Sequence, residues 1–214
     1  MSYITFKDVS KRFGGNYILE NVNFEIEKGE ICGFAGRNGS GKTVIFKLLS
    51  GLLLPTGGSI KFCGEEVSHR GRFIADTGVM LETPGFIPHY SGLKNLCVLN
   101  DLSLNKVKKK RLAELMERFN LEPGNKKPVR AYSLGMRQKL GIIQAVMNSP
   151  ELLILDEPMN SLDEESTVSI RNFFSALNKE EGTTILIASH IKDDIHPLCS
   201  RIFTVANNTV KEII

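Results

Sequence analysis

The eight residues Gly36-Arg37-Asn38-Gly39-Ser40-Gly41-Lys42-Thr43 match the pattern G-x-x-x-x-G-K-[ST] in full. Each residue type in that pattern has a chemical reason. Glycines let backbone N–H groups turn inward around a polyphosphate without Cβ clashes. A helix beginning near Gly41 adds its positive dipole end. Lys42 carries the charge that reaches β- and γ-phosphates, and Thr43 offers a hydroxyl to Mg²⁺. The whole run from Gly36 to Thr43 is therefore a candidate nucleotide cradle. The plainer alternative, a glycine-rich turn ahead of a helix, has no use for the Lys-Thr pair.

The segment Leu152-Leu153-Ile154-Leu155-Asp156-Glu157-Pro158 sets four apolar residues ahead of two acids. A buried parallel strand delivers the residues after it to the edge where open α/β sheets bind ligands. Asp156 at such an edge suits Mg²⁺, directly or through water. Glu157 suits the water that attacks a γ-phosphate, as general base or as orienter. Two solvated acids at a strand end are the bland alternative, and the phosphate motif weighs against it. Ser189-His190 closes another apolar run, 184–188, and brings His190 to the same kind of edge. An isolated histidine is more often structural, but its place after a buried strand favours a role in the chemistry. His69, His89 and His196 have no such context.

These groups need a scaffold to hold them. Residues 3–9, 19–26 and 30–35 read as short strands, and the run from Ile31 to Ala35 is apolar enough to be buried. Val44, Ile45, Leu48 and Leu49 are spaced for a helix after the glycine loop, with Gly51 near its end. Strands resume over 59–82. From about Ser91 to Ala145 the pattern is helical, with Leu112, Leu115, Met116 and Phe119 on one face. A strand over 152–155, a helix over 163–179 and a strand over 184–188 come next. Residues 202–205 and 209–213 predict a hairpin around Asn207-Asn208. This order predicts an α/β core with an inserted helical lobe. We expect one domain over 1–214, with 1–87 and 146–214 forming the core and 88–145 the helical part.

Four further segments carry a family resemblance. Tyr132-Ser133-Leu134-Gly135-Met136-Arg137-Gln138 lies about 20 residues ahead of the acidic strand. It resembles the signature of the ABC (ATP-binding cassette) ATPases, usually written LSGGQ. Asn160-Ser161-Leu162-Asp163 resembles their D-loop, Ser189-His190 their switch histidine, and Phe13 in Lys11-Arg12-Phe13-Gly14 their adenine-stacking aromatic. Order and spacing match across nearly the whole chain. The Tyr-Ser-Leu-Gly-Met form is similar to that of the drug, bacteriocin and antibiotic-peptide exporters. The resemblance implies an α/β P-loop NTPase core with an antiparallel β subdomain and an inserted helical subdomain. It implies ATP and Mg²⁺ as ligands, and two ATPs sandwiched in a head-to-tail dimer, most simply of identical chains. Ser133 and the Gly135 backbone would meet the γ-phosphate of the partner's ATP, Asp163 would communicate between sites, and His190 would bond the γ-phosphate or the attacking water. Leu134 and Met136 replace the first glycine and the glutamine of the signature. Glu82, in Val79-Met80-Leu81-Glu82-Thr83, stands where the family has a glutamine that ligates Mg²⁺. A carboxylate can still ligate but adds charge and loses the amide donors.

The bulk properties set the remaining expectations. Hydrophobic residues at 42%, charged residues at 24% and a net charge of +3 describe an ordinary folded domain rather than a concentrated basic binder, so no nucleic-acid partner is expected. The run from Lys106 to Arg111 reads as a solvated helix face, because acids return at Glu114 and Glu117. Cys32, Cys63, Cys97 and Cys199 form no CxxC pair and suit a reducing cytosol. No run approaches the ~18 apolar residues of a membrane helix. Transport would then require a separate integral-membrane permease, with this chain peripheral on the cytoplasmic face of the membrane. Phe86 and Tyr90, in the loop after Glu82, are either tucked onto the core or presented to that permease. A soluble, non-transport ABC ATPase of the iron–sulfur assembly type is the alternative function. Chromosome and repair members would need sustained heptads in the roughly 90-residue gap between cradle and signature, and none is seen.

Overall fold

The computed structural model describes residues 2–67, 76–82 and 85–214. His69, part of the expected strand region, and the Thr83-Pro84 step after Glu82 lie outside the described residues. The chain begins as an antiparallel hairpin of β1 (Ile4–Phe13) and β2 (Asn16–Ile26). β1 runs four residues beyond the expected end at Val9. Lys11, Arg12 and Phe13 pair with Leu19, Tyr17 and Asn16 even though they are not buried, so cross-strand bonding rather than burial extends the strand. β4 (Gly57–Phe62) pairs with β1, and the short β5 (Glu65–Glu66) with β4, to complete a four-stranded antiparallel sheet.

The second sheet has six strands in the order β10-β9-β3-β8-β7-β6. β3 (Ile31–Ala35), β6 (Thr77–Met80), β7 (Leu152–Asp156), β8 (Thr184–Ser189) and β9 (Arg201–Ala206) are parallel. β10 (Thr209–Glu212) closes the edge as the antiparallel half of the expected hairpin. β3, β7 and β8 are buried along their whole length, as unbroken apolar runs in a sheet covered on both faces should be.

Strand alternation divides the interior into two cores. Cys32, Phe34, Leu152, Ile154, Leu186 and Ala188 face the antiparallel sheet and α1 (Lys42–Leu49). Ile31, Leu153, Leu155, Ile185 and Ile187 face the helices on the other side. Stacked and edge-to-face rings of Phe24, Phe34, Phe46 and Phe203, with centroids 5.2–5.6 Å apart, fill the first core. The second core is closed by α2 (Gly92–Leu102), α3 (Lys109–Arg118), α4 (Leu134–Val146) and α5 (Glu164–Glu181). The expected apolar face of α3 is present: Leu112, Leu115 and Met116 are buried, with Phe119 just past the helix end. Lys106 to Lys108 precede α3, and Lys110 pairs with Glu114 on its solvent side.

α4 crosses β6 at close range, and Gly78 permits it. A Cβ at Gly78 would lie 2.0 Å from the carbonyl oxygen of Ala145, a backbone atom that cannot swing aside. Gly78→Ala should therefore destabilise the fold by roughly 3 kcal/mol, at the upper end of overpacking costs. Urea unfolding followed by circular dichroism reads this as a lower midpoint at unchanged slope.

Candidate active site

The glycine run leaves β3 at Ala35 and enters α1 at Lys42. Gly41 takes φ 109°, a conformation an L side chain rarely adopts, and it starts the helix without a side-chain cap. The first N–H groups of α1 are thus left for an anion. Gly36 has no room for a side chain, since a Cβ would meet Ser40 Oγ and the Val205 carbonyl, both at 2.6 Å. The result is a tight loop on the rim of a cleft of about 620 Å³.

Lys42 is only 5% exposed. Its Nζ donates to the carbonyls of Gly36 at 2.6 Å and Arg37 at 3.2 Å, and lies 3.4 Å from Glu157 Oε1. Thr43 Oγ1 donates to Asp156 Oδ2 at 2.5 Å. This contact results from strand alternation, because Asp156 shares the face of Leu152 and Ile154, which pack against α1. The other oxygen, Asp156 Oδ1, is buried without a hydrogen-bond partner. Burial pushes the Asp156 carboxyl above its ordinary range, against the Thr43 hydrogen bond and the nearby Lys42 charge. An unpaired, buried carboxylate oxygen beside a threonine hydroxyl suits a hard divalent cation. Among the described residues no group of three or more His, Cys, Asp or Glu side chains is arranged to hold a metal ion. A Mg²⁺ here would take most of its ligands from phosphate and water, as Mg²⁺ prefers.

Glu157 comes next at φ 52°, an uncommon conformation for a side-chain-bearing residue, costing of order 1–3 kcal/mol. Its N–H donates to the Ala188 carbonyl at 2.9 Å, which ties it to the end of β8. Its Oε2 lies 2.8 Å from His190 Nδ1 and accepts the His190 backbone N–H at 3.3 Å. The Lys42 ammonium, the Thr43–Asp156 pair and the Glu157–His190 pair thus meet at the C-terminal edge of the parallel strands. Such a site can neutralise a polyphosphate, hold a cation and withdraw a proton from water.

The other predicted residues are distributed around this centre. Phe13, 47% exposed, lines the cleft with Asn38, Gly39 and Ser40, and the Lys11 ammonium lies 5.0 Å from its ring centroid. Arg37 lines an adjoining cavity with His190 and contributes its carbonyl to Lys42. Glu82 borders the cleft but is ion-paired to Lys47 at 2.5 Å, an engagement its sequence context does not reveal. Ser133 caps α4, accepting from the Met136 N–H at 3.2 Å, and neither it nor Gly135 lines the cleft. Asp163 caps α5 through the Ser166 N–H at 2.7 Å, which holds its carboxyl below the usual range, and it too lies off the cleft. Phe86 packs against the helical core, whereas Tyr90 carries the Lys94 ammonium 3.7 Å over its ring. Leu134, Gln138, Asn160 and Ser161 also line the cleft, although the sequence reading placed them only in the signature and D-loop segments and not in this chain's own site, and Ile18 and Val44 complete its wall. No helix among the described residues is long and apolar enough to cross a membrane.

The chain matches a known family and known structures. Residues 19–160 match the family model described as ABC transporter. An ABC transporter ATP-binding protein of Bacillus subtilis, YcbN, is 38% identical over 99% of this chain and 69% of its own length. The bacitracin transport ATP-binding protein BcrA of Enterococcus faecalis is 38% identical over 91% of this chain and 63% of its own length. The lantibiotic transport ATP-binding protein SrtF of Streptococcus pyogenes is 37% identical over 91% of this chain and 83% of its own. The chain thus spans about two thirds of the length of YcbN and BcrA. An ATP-binding subunit of an ABC transporter superposes with a TM-score of 0.87 at 26% identity, covering 98% of this chain and 88% of that one. A dimeric cassette, MJ0796, bound to ADP and phosphate, has the same fold, with a TM-score of 0.85 at 24% identity over 98% of this chain and 97% of its own.

Asp156 illustrates how such a site trades stability for binding. A carboxyl raised by burial costs nothing below the unfolded-state range, and its cost grows as pH rises through the folded value. Asp156→Asn should therefore raise the melting temperature of the nucleotide-free protein at neutral pH. That gain should vanish in acid, while the Mg²⁺-dependent part of nucleotide affinity is lost. Thermal scans across pH, paired with calorimetric titration of nucleotide with and without Mg²⁺, measure both effects. A lower melting temperature at neutral pH would contradict the burial argument.

Proposed function

The chain belongs to the ABC transporter ATP-binding family, and from that premise we propose that it binds and hydrolyses ATP to drive a separate integral-membrane permease. One observation carries the reading. The phosphate loop and the acid pair face each other across a single cleft, with Thr43 Oγ1 on Asp156 Oδ2 at 2.5 Å and Lys42 Nζ 3.4 Å from Glu157 Oε1. In this reading the free N–H groups of α1 and Lys42 hold the β- and γ-phosphates, and Phe13 stacks on adenine. Thr43 and Asp156, with Glu82 once released from Lys47, would hold Mg²⁺. The ion, when bound, neutralises charge on the phosphate oxygens.

Glu157 acts on the attacking water. The water oxygen bonds to the γ-phosphorus as the bond to the β-bridging oxygen breaks. The proton passes to the Glu157 carboxylate, and ADP leaves with phosphate. His190 Nδ1, 2.8 Å from Oε2, orients that carboxylate. Ser133 and Gly135 lie off the chain's own cleft, which supports their use on the ATP of a second subunit in a head-to-tail dimer. The bacitracin and lantibiotic names of two relatives support export of drugs, peptides or antibiotics, with this chain peripheral on the cytoplasmic face of the membrane.

Lys42→Ala should abolish most nucleotide binding, since it removes the buried charge aimed at the phosphates. Wild-type affinity by calorimetry with Mg²⁺ would refute the assignment. Glu157→Gln should stall hydrolysis while retaining nucleotide. The stalled protein should run as a dimer with ATP and a monomer with ADP in light scattering after size exclusion. Adding Ser133→Arg should abolish that dimer by placing bulk and charge at the proposed γ-phosphate contact. A stalled protein that stays monomeric with ATP even with its permease bound would rule out the sandwich.

A further inference from the structure

Gln138 stands five residues beyond Ser133 on α4, about 7–8 Å along the helix at the usual rise per residue. It is one of the few buried polar side chains among the described residues, 9% exposed. Its Nε2 donates to the main-chain carbonyl of Glu157 at 2.7 Å. That carbonyl also accepts the Asn160 N–H at 3.1 Å, and the Glu157 N–H is bonded to Ala188. The peptide of Glu157 is therefore held from three elements: α4, the loop after β7, and β8. Of these only α4 carries the signature segment. The hold acts on a residue at φ 52°, which relaxation toward an ordinary conformation would turn away from Lys42 and His190. α4 also runs close to that loop, since a Cβ at Gly135 would lie 3.1 Å from the Ser161 carbonyl.

We propose that Gln138 is a positioning residue for Glu157. Its amide fixes the left-handed peptide that aims the carboxylate, and so transmits the position of the signature helix to the hydrolytic centre of the same chain. The inference rests on the reading of Glu157 as the group that handles the attacking water. In the proposed dimer, Ser133 at the head of α4 engages the partner's nucleotide while Gln138 holds this chain's Glu157. One helix would then report the occupancy of one site to the carboxylate of the other. The carrier is a single side-chain amide, separate from Asp163, whose Oδ1 caps α5.

The test substitutes Gln138→Met, which keeps volume and removes the donor. The Asn160 N–H still satisfies the Glu157 carbonyl, so no buried acceptor is orphaned. Steady-state ATPase of the full chain should show kcat lowered about tenfold to a hundredfold, the scale of a small misplacement of a reacting group. KM for ATP, ADP affinity by calorimetry and the unfolding midpoint should stay close to wild type. A merely structural role would move those three together with kcat. In a Glu157→Gln background Gln138→Met should add nothing to the loss, because no carboxylate remains to be aimed. If Gln138→Met does not fold, Gln138→Asn, which retracts the amide by one methylene, serves the same comparison. A kcat within twofold of wild type for Gln138→Met, while Glu157→Gln is inactive, overturns the positioning role and leaves the hydrolytic reading intact. Full activity of Glu157→Gln alone overturns that reading, and the positioning role with it.

Discussion

A buried ammonium organises this molecule. Lys42 is almost wholly removed from water, and an unpaired charge there would cost several kcal/mol. The cost is met by the carbonyls of Gly36 and Arg37 and the carboxylate of Glu157. Each partner in turn demands something of the chain. The two carbonyls can converge on Nζ only if the loop doubles back tightly, which requires glycine where Ser40 and Val205 crowd Gly36. Glu157 can approach only if β7 ends beside α1, and therefore only if β7 pairs in the sheet between β6 and β8. In the proposed reaction, phosphate oxygens take the place of the carbonyls, so the same charge is satisfied in the free and the bound protein.

The period of the parallel strands supplies the rest of the site. Alternation sends Leu152 and Ile154 into the core beneath α1, and the next residue on that face is Asp156. A hydrophobic pattern thus fixes where a carboxylate meets Thr43. The chain then turns at Glu157 through an unfavourable φ, and the peptide is pinned from β8 and α4. Burial raises the Asp156 carboxyl and leaves one of its oxygens unpaired. The site is held in a state that a cation and a polyphosphate would relieve, and the two packed cores on either side of the sheet hold it there.

The parts of this arrangement that were legible in the sequence are those whose physics is local. The glycine spacing, the Lys-Thr pair, and four apolar residues ahead of two acids each carry their chemistry within eight residues. The buried strands were legible because a run such as Leu152 to Leu155 has few other places to go. The missed features depend on which residues fold back on which. Nothing near Glu82 points to Lys47, and nothing near Gln138 points to a carbonyl 19 residues further on. Likewise the extension of β1 to Phe13 depends on partners in β2, and its unburied end, without alternation, resembles a loop. Ser133 and Asp163 were legible only through family likeness, and the geometry adds that both hydrogen-bond the N-terminus of a helix. In the proposed dimer such a capping residue would also face a second subunit, and the signature pattern by itself does not disclose the capping constraint.

The loop from Phe86 to Tyr90 raises the same question for the permease. Asn95, buried on α2, fastens it: the side chain accepts the Ile87 N–H at 2.7 Å and donates to the carbonyls of Ile87 and Ser91, both at 3.1 Å. The loop in turn holds the approach to the signature, since the Tyr90 carbonyl accepts the Val129 N–H at 2.8 Å and the Pro88 carbonyl the Arg130 N–H at 3.0 Å. The Tyr132 hydroxyl, next to Ser133, accepts the Gly92 N–H at 3.2 Å. Phe86 is anchored in the helical core and the half-buried Tyr90 ring is covered by Lys94 and met edge-on by His89, so the loop is a fastened strap. A partner pressing on that strap would displace the head of α4 through backbone hydrogen bonds. These carry displacement with less slack than side-chain packing does, because both donor and acceptor are fixed in the main chain. Motion delivered there would reach Ser133 before Gln138, five residues further along α4. In the proposed assembly, a permease at the strap, the partner's nucleotide and the hydrolytic carboxylate would all act through one helix.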